Sequence, residues 1–184
     1  MLAAVLLYGV APILRAVVPL APDLSPVRAA FVYAAMPEEA LKLAGLAVVV
    51  RRRSLLLQAT GIACGFATVE NVLAIAYAPS SPFAILIDRV IGGIPAHLVL
   101  GAWAAGVLRR TGLSPRGFLA AFAFVAALHT LFDTLFFAGH NRAGIGAIVI
   151  AGILAALFWR YQSQAKNTGG TASGLAATGE KSPY

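Results

Sequence analysis

The stretch Met36-Pro37-Glu38-Glu39-Ala40-Leu41-Lys42 places two carboxylates and an amine within two helical turns, between apolar flanks "AAFV" and "LAVVV". At about 100° per residue, Glu38 and Glu39 fall on either side of Lys42 on one helical stripe. Ala35 and Gly45 keep that stripe narrow, so a partner helix or a substrate can come close. One lysine cannot neutralise two glutamates, so an ion pair gluing helices together does not account for the whole set. A carboxylate left over in such a place suits general acid/base work. Pro37 has no N–H to donate and leaves the Tyr33 carbonyl without its helical partner, which predicts a local opening of the helix just before the glutamates.

Three further groups follow in order. Phe66 and Glu70 are i,i+4 with Asn71 adjacent, Arg89 precedes Pro95 and His97, and His129 and Asp133 are again i,i+4 on one face. Of the chain's seven acidic residues, Glu38, Glu39, Glu70 and Asp133 lie deep within apolar runs; Asp88 is nearer a run's end, Asp23 is in a loop and Glu180 in the tail. A charge at mid-membrane costs ~2.5–3.5 kcal/mol on insertion scales, so four unpaired ones would cost on the order of 10 kcal/mol. They must therefore face water, partners or one another. A single membrane histidine is more often an interhelical hydrogen-bonder than a catalyst, but here depth adds to type. Taking each run's midpoint as mid-bilayer, the polar residues of four successive runs fall in one layer, as one site would require. Cys64 reads as a small buried hydrophobe beside glycine. The chain has no G-x-S-x-G, H-E-x-x-H, Walker or dinucleotide motif.

The elements that must position these groups are membrane helices. The chain has 184 residues, 60% hydrophobic and 11% charged, with a mean hydropathy of +0.84, which no ordinary soluble domain shows. Its apolar runs are continuous rather than alternating, so the expected fold class is all-α, a polytopic transmembrane bundle of about six spans: 2–20, 29–50, 55–78, 83–108, 117–138 and 143–161. Residues 1–161 form the expected bundle with its intramembrane polar site, and 162–184 a disordered polar tail. "GIACG" (Gly61 to Gly65), "GAWAAG" and "GIGAIVIAG" predict close helix contacts. The net charge of +7 sits in short loops, not a groove, so nucleic acid is not an expected partner. Arg51–Arg53, Arg109, Arg110, Arg116, Arg160, Lys166 and Lys181 share one side in a six-span topology. The positive-inside rule makes that side, and both termini, cytoplasmic. One cysteine excludes an internal disulfide.

The set Glu38-Glu39-x-x-Lys42, Phe66-x-x-x-Glu70-Asn71, Arg89 with Pro95-x-His97, and His129-x-x-x-Asp133 resembles the PrsW family of intramembrane proteases. That family stands beside the CAAX-processing and bacteriocin-immunity type membrane proteases. The resemblance covers about residues 29–138. It implies hydrolysis of peptide bonds in membrane-anchored proteins, in a bacterial plasma membrane, by a glutamate-activated water. On that reading Glu38, or its neighbour Glu39, is the base and Lys42 sets its charge state. His97 or Glu70 holds the water, His129 with Asp133 serves the oxyanion, and Arg89 and Asn71 support. Two histidines with carboxylates could bind zinc, but the CAAX-type relatives imply chemistry without metal, so no cofactor is expected. A proton- or ion-coupled transporter is the chief alternative, since buried Glu, Asp and His also mark ion paths. It lacks the support of an inverted repeat. A scaffold with a purely structural polar layer is the third reading.

Overall fold

The computed structural model describes residues 25–76, 83, 86, 87 and 89–176. The expected first span at 2–20 and the acids Asp23, Asp88 and Glu180 lie outside them. The described residues are almost all helical, joined by short turns and without a strand. Helix α1 (Pro26–Ala30) runs through a π-helical segment (Phe31–Ala35) into α2 (Met36–Val49). A 3-10 turn (Arg52–Ser54) leads to α3 (Leu55–Ala76), a second π segment (Arg89–Gly93) opens α4 (Ile94–Thr111), and α5 (Pro115–Phe137) and α6 (Asn141–Ala176) complete the described residues.

The two π segments have a common cause. Each ends two residues before a proline, Pro37 or Pro95. A proline has no N–H for the carbonyl four residues back, and the helix takes up the missing bond by widening one turn: the Met36 N–H reaches the Phe31 carbonyl, five residues away. The opening expected at Tyr33 is thus a π turn, and it delivers Glu38 and Glu39 at the start of α2.

Caps define the turns. Ser114 accepts a hydrogen bond from the Gly117 amide at 3.1 Å, with Pro115 at the first helical position of α5. Gly112 at φ 88° ends α4 and Gly139 at φ 76° ends α5, conformations that favour glycine. Gln58 bridges the α2–α3 connection, accepting from the Arg51 amide at 2.7 Å and donating to the Val49 carbonyl at 3.0 Å.

Among the described residues, four helical segments are long and apolar enough to cross a membrane: Leu55–Leu73, Arg89–Thr111, Pro115–Phe136 and Asn141–Gln164. The run Pro26–Ala30, Phe31–Ala35, Met36–Val49 is continuous, but its buried Glu38, Glu39 and Lys42 keep it outside that group. Large apolar side chains such as Val48, Leu57 and Ile150 point outward, as lipid-facing residues do, while Leu46, Leu100, Leu108, Val125 and Phe132 fill the centre. The protein is an integral membrane helical bundle. α6 continues to Ala176, past the Tyr161 boundary read from the sequence; residues 162–176 contain no proline to stop a helix that adds one bond per residue once begun.

Small residues set the α3–α4 contact, at Gly101 of "GAWAAG" as expected but not at the glycines of "GIACG". Leu55, Ala59, Ala63 and Ala67 are buried at four-residue spacing on α3. Gly101 of α4 sits so close that a Cβ there would lie 2.9 Å from the Ala59 carbonyl oxygen and 3.0 Å from the Ala63 Cβ. Gly61 and Gly65 stand off that stripe, with nothing of the described residues within 4 Å of a Cβ, and Cys64 beside them is exposed rather than buried. Gly101→Leu is therefore expected to cost about 1–3 kcal/mol or more by overpacking, while Gly61→Leu leaves stability unchanged. Thermal unfolding of both variants in detergent checks this, and equal melting temperatures would refute it. The indole N–H groups of Trp103 and Trp159 donate to the carbonyls of Ala151 and Ala102 at 3.1 and 3.2 Å, locking α4 to α6.

Candidate active site

The charged and histidine side chains singled out from spans two to five, Glu38, Glu39, Lys42, Glu70, Arg89, His97, His129 and Asp133, arrive in one connected network drawn from α2, α3, α4 with its π segment, and α5, while Asn71 stays outside it. Arg89 pairs with Glu70 Oε1. Glu70 Oε2 lies 2.8 Å from His97 Nε2. His97 Nδ1 lies 3.0 Å from Lys42 Nζ. Lys42 pairs closely with Glu39 Oε1, which also meets His129 Nδ1 at 2.8 Å. His129 Nε2 then faces Asp133 Oδ2 at 3.4 Å and Glu38 Oε2 at 3.8 Å. The two imidazoles meet edge to face, 5.6 Å between centroids.

The hydrogen bonds fix which atoms carry protons. An ammonium donates only, so His97 Nδ1 accepts from Lys42 and the ring proton sits on Nε2, donated to Glu70. Glu39 Oε1 accepts from Lys42 and from His129 Nδ1–H. Phe66, the first residue of the F-x-x-x-E motif, closes the far side: its ring lies 5.1 Å from Lys42 Nζ and 5.8 Å from the His97 ring.

The adjacent glutamates differ sharply. Glu39 is buried in the packing between α2, α3 and α4, with its carboxylate already committed to Lys42 and His129. Glu38 lines a cavity of about 260 Å³ with Glu70, Arg89, His97, His129 and Asp133. Its Oε2 is buried without a hydrogen-bond partner among the described residues and stands 4.0 Å from Lys42 Nζ. A buried polar atom of this kind calls for a function or a bound molecule. The rest of the wall is Ala34, Gly92, Gly93, Ala96, Phe132 and Phe136. These were not singled out from the sequence, although "IGGIPAH" carries the signal: small residues leading into a polar one leave room for another backbone. Asn71 is buried off the cavity wall, near Gly93, with its Oδ1 unbonded among the described residues.

Glu38, Glu70 and His97 each offer one ligand atom, all within 4.8 Å of one another. One imidazole and two carboxylates are the right kinds of donor for a catalytic zinc. The hydrogen bonding does not fit one: the Nδ1 lone pair of His97 is taken by Lys42, and Nε2 carries the proton.

A bundle with acids, histidines and a lysine gathered at a cavity among its membrane helices has the groups that hydrolysis or proton movement within a membrane would need. The sequence model of the PrsW family intramembrane metalloprotease matches residues 1–160, and the chain belongs to that family. No curated protein and no solved structure gives a significant match. Membership makes the protein an intramembrane protease and gives the transporter alternative no support.

Proposed function

We propose that the protein hydrolyses peptide bonds of membrane-anchored proteins with a water activated by Glu38. The observation carrying this is the contrast between the two glutamates: Glu39 is paired with Lys42 and His129, while Glu38 lines the cavity and keeps an oxygen without a hydrogen-bond partner among the described residues. The Glu38 carboxylate takes a proton from water as the water oxygen bonds to the scissile carbonyl carbon. The oxyanion that forms is stabilised by Nε2–H of His129 as an imidazolium, whose Nδ1–H is held by Glu39 and whose charge is balanced by Asp133 beside it. Glu38 then returns the proton to the amide nitrogen as the C–N bond breaks, leaving a carboxylate and an amine. Glu70, held between Arg89 and His97, positions the water. Lys42 joins His97 to Glu39 and holds the charged layer together. Asn71 supports this group from behind Gly93. The small residues Ala34, Gly92, Gly93 and Ala96 let an extended substrate backbone approach.

The test is cleavage of single-span membrane proteins in proteoliposomes, with the new termini mapped by mass spectrometry. Cleavage inside or beside the hydrophobic segment is expected; no cleavage by the folded wild type across a diverse panel would overturn the reading.

The same reading takes Pro26–Val49 as a further crossing and 2–20 as the sixth, in a bacterial plasma membrane with the basic loops facing the cytoplasm. In a Cys64→Ser background, single cysteines at Ser54 and Ser114 should resist an impermeant maleimide added from the periplasmic side; ready labelling of either reverses the orientation. Residues 162–184 form a polar appendage to the catalytic bundle, so truncation after Gln162 should keep both fold and cleavage. Loss of folded protein on truncation would show that the appendage packs against the bundle.

A further inference from the structure

A second cavity, of about 600 Å³, lies at the other end of the bundle, where α3 and α5 begin and α4 and α6 pass their last apolar turns. Arg53, Ser54, Arg109 and Trp159 supply its polar and aromatic wall, and Leu55, Leu56, Leu57, Leu108 and Leu113 its apolar one. The Arg109 guanidinium lies over the Trp159 ring, 4.8 Å from its centroid. The indole is itself pinned by its bond to the Ala102 carbonyl, so Arg109 is held in place by an aromatic face, not by a carboxylate. Neither Arg53 nor Arg109 forms an ion pair among the described residues. Of the described acids, Glu38, Glu70 and Asp133 line the other cavity, and Glu39 is paired with Lys42 and His129 in the packing beside it. The first turn of α3, which borders the cavity, also contains no acidic residue.

We propose that this cavity is a binding site for an anionic phospholipid. The two guanidiniums offer forked donors to a phosphate, and Trp159 sits at the polar–apolar boundary that indoles favour. The leucine wall leads outward: Leu55 and Leu108 are buried, whereas Leu57 is 75% exposed, giving acyl chains a continuous apolar path to the bilayer. An acidic peptide would match the arginines but leave that path unused. A free phosphate ion would leave the whole apolar wall unused. Basic pockets between membrane helices are the usual form of such sites. The inference does not depend on the catalytic role of Glu38.

The experiment uses Trp159 as reporter. In a Trp103→Phe variant of the full chain in mixed micelles, brominated phosphatidylglycerol and brominated phosphatidylcholine are titrated and indole quenching is followed. Phosphatidylglycerol is expected to associate about fivefold to tenfold more tightly, on the scale of one or two basic contacts. Arg53→Gln, on an exposed residue of the 3-10 turn, should reduce that preference severalfold with the fold intact by circular dichroism. The double change with Arg109→Gln should abolish it. Arg110→Gln with Arg116→Gln should leave it unchanged. Equal quenching by the two lipids in the wild-type cavity overturns the proposal. So does an equal loss in the Arg110/Arg116 control, which would mark diffuse surface attraction. Displacement of the lipid by millimolar inorganic phosphate, or by an acidic peptide, would assign the cavity to those anions instead.

Discussion

Glu38→Gln is expected to reduce turnover of a membrane-anchored substrate by at least about 10²-fold, the scale on which a general base contributes, with no loss of folded protein. Glutamine keeps the size and polarity of the side chain, and Glu38 Oε2 has no hydrogen bond to lose among the described residues. Glu39→Gln is expected to behave in the opposite way. It leaves the buried Lys42 without its closest anion and His129 Nδ1 without a carboxylate acceptor. Breaking one side of a buried pair costs about 3–5 kcal/mol, so the loss should appear first as a lower melting temperature and poor recovery from membranes. The two variants are compared by rate per folded molecule, with folding measured by size-exclusion chromatography and circular dichroism. Full activity of folded Glu38→Gln excludes Glu38 as the base. If folded Glu39→Gln and Glu70→Gln are also fully active, the glutamate mechanism fails altogether.

The contrast between the neighbours could not be read from the sequence. A helical wheel places Glu38 and Glu39 about 100° apart, roughly 40° and 60° to either side of Lys42, which says nothing about which side faces a cavity. The answer comes from the packing of α2 against α3, α4 and α5, just after the π turn at Phe31–Ala35, which turns Glu38 to the cavity and Glu39 into the helix contact. Pro37 announced an opening, but not its consequence. The same holds at Pro95, where the π turn of Arg89–Gly93 precedes His97. What the sequence did show was depth: acids and histidines at one level on successive helices had to meet or remain unpaired, and they meet. The bond from Lys42 to His97 spans 55 positions and involves no shared motif, so only the packing reveals it.

The glycine pattern was legible only in part. A G-x-x-x-G states a period and not a partner. At Gly61 and Gly65 the period is present, but the packed stripe of α3 runs through Ala59 and Ala63 instead. At Gly101, within "GAWAAG", the expectation of a close helix contact holds. The four long apolar helices were evident from composition, because lipid permits only continuous apolar faces around them.

The remaining large effect concerns metal. Cleavage is expected to survive treatment with 1,10-phenanthroline or EDTA, and the treated protein to contain well under one equivalent of zinc by atomic spectrometry. The reason is the proton arrangement on His97. For Nε2 to ligate, its proton must move to Nδ1, and Nδ1 is occupied by the Lys42 ammonium at 3.0 Å. Lys42 also places a positive charge beside any cation held by Glu38, Glu70 and His97. Both obstacles disappear in Lys42→Met. That variant should therefore bind zinc more tightly than the wild type, measured by competition with a fluorescent chelator, even as its cleavage slows. If the wild type instead loses activity on stripping and regains it with one equivalent of zinc, His97 exchanges its bonds for a metal in the working enzyme. The water is then activated by that metal, and Glu38 is one of its ligands rather than a base acting alone.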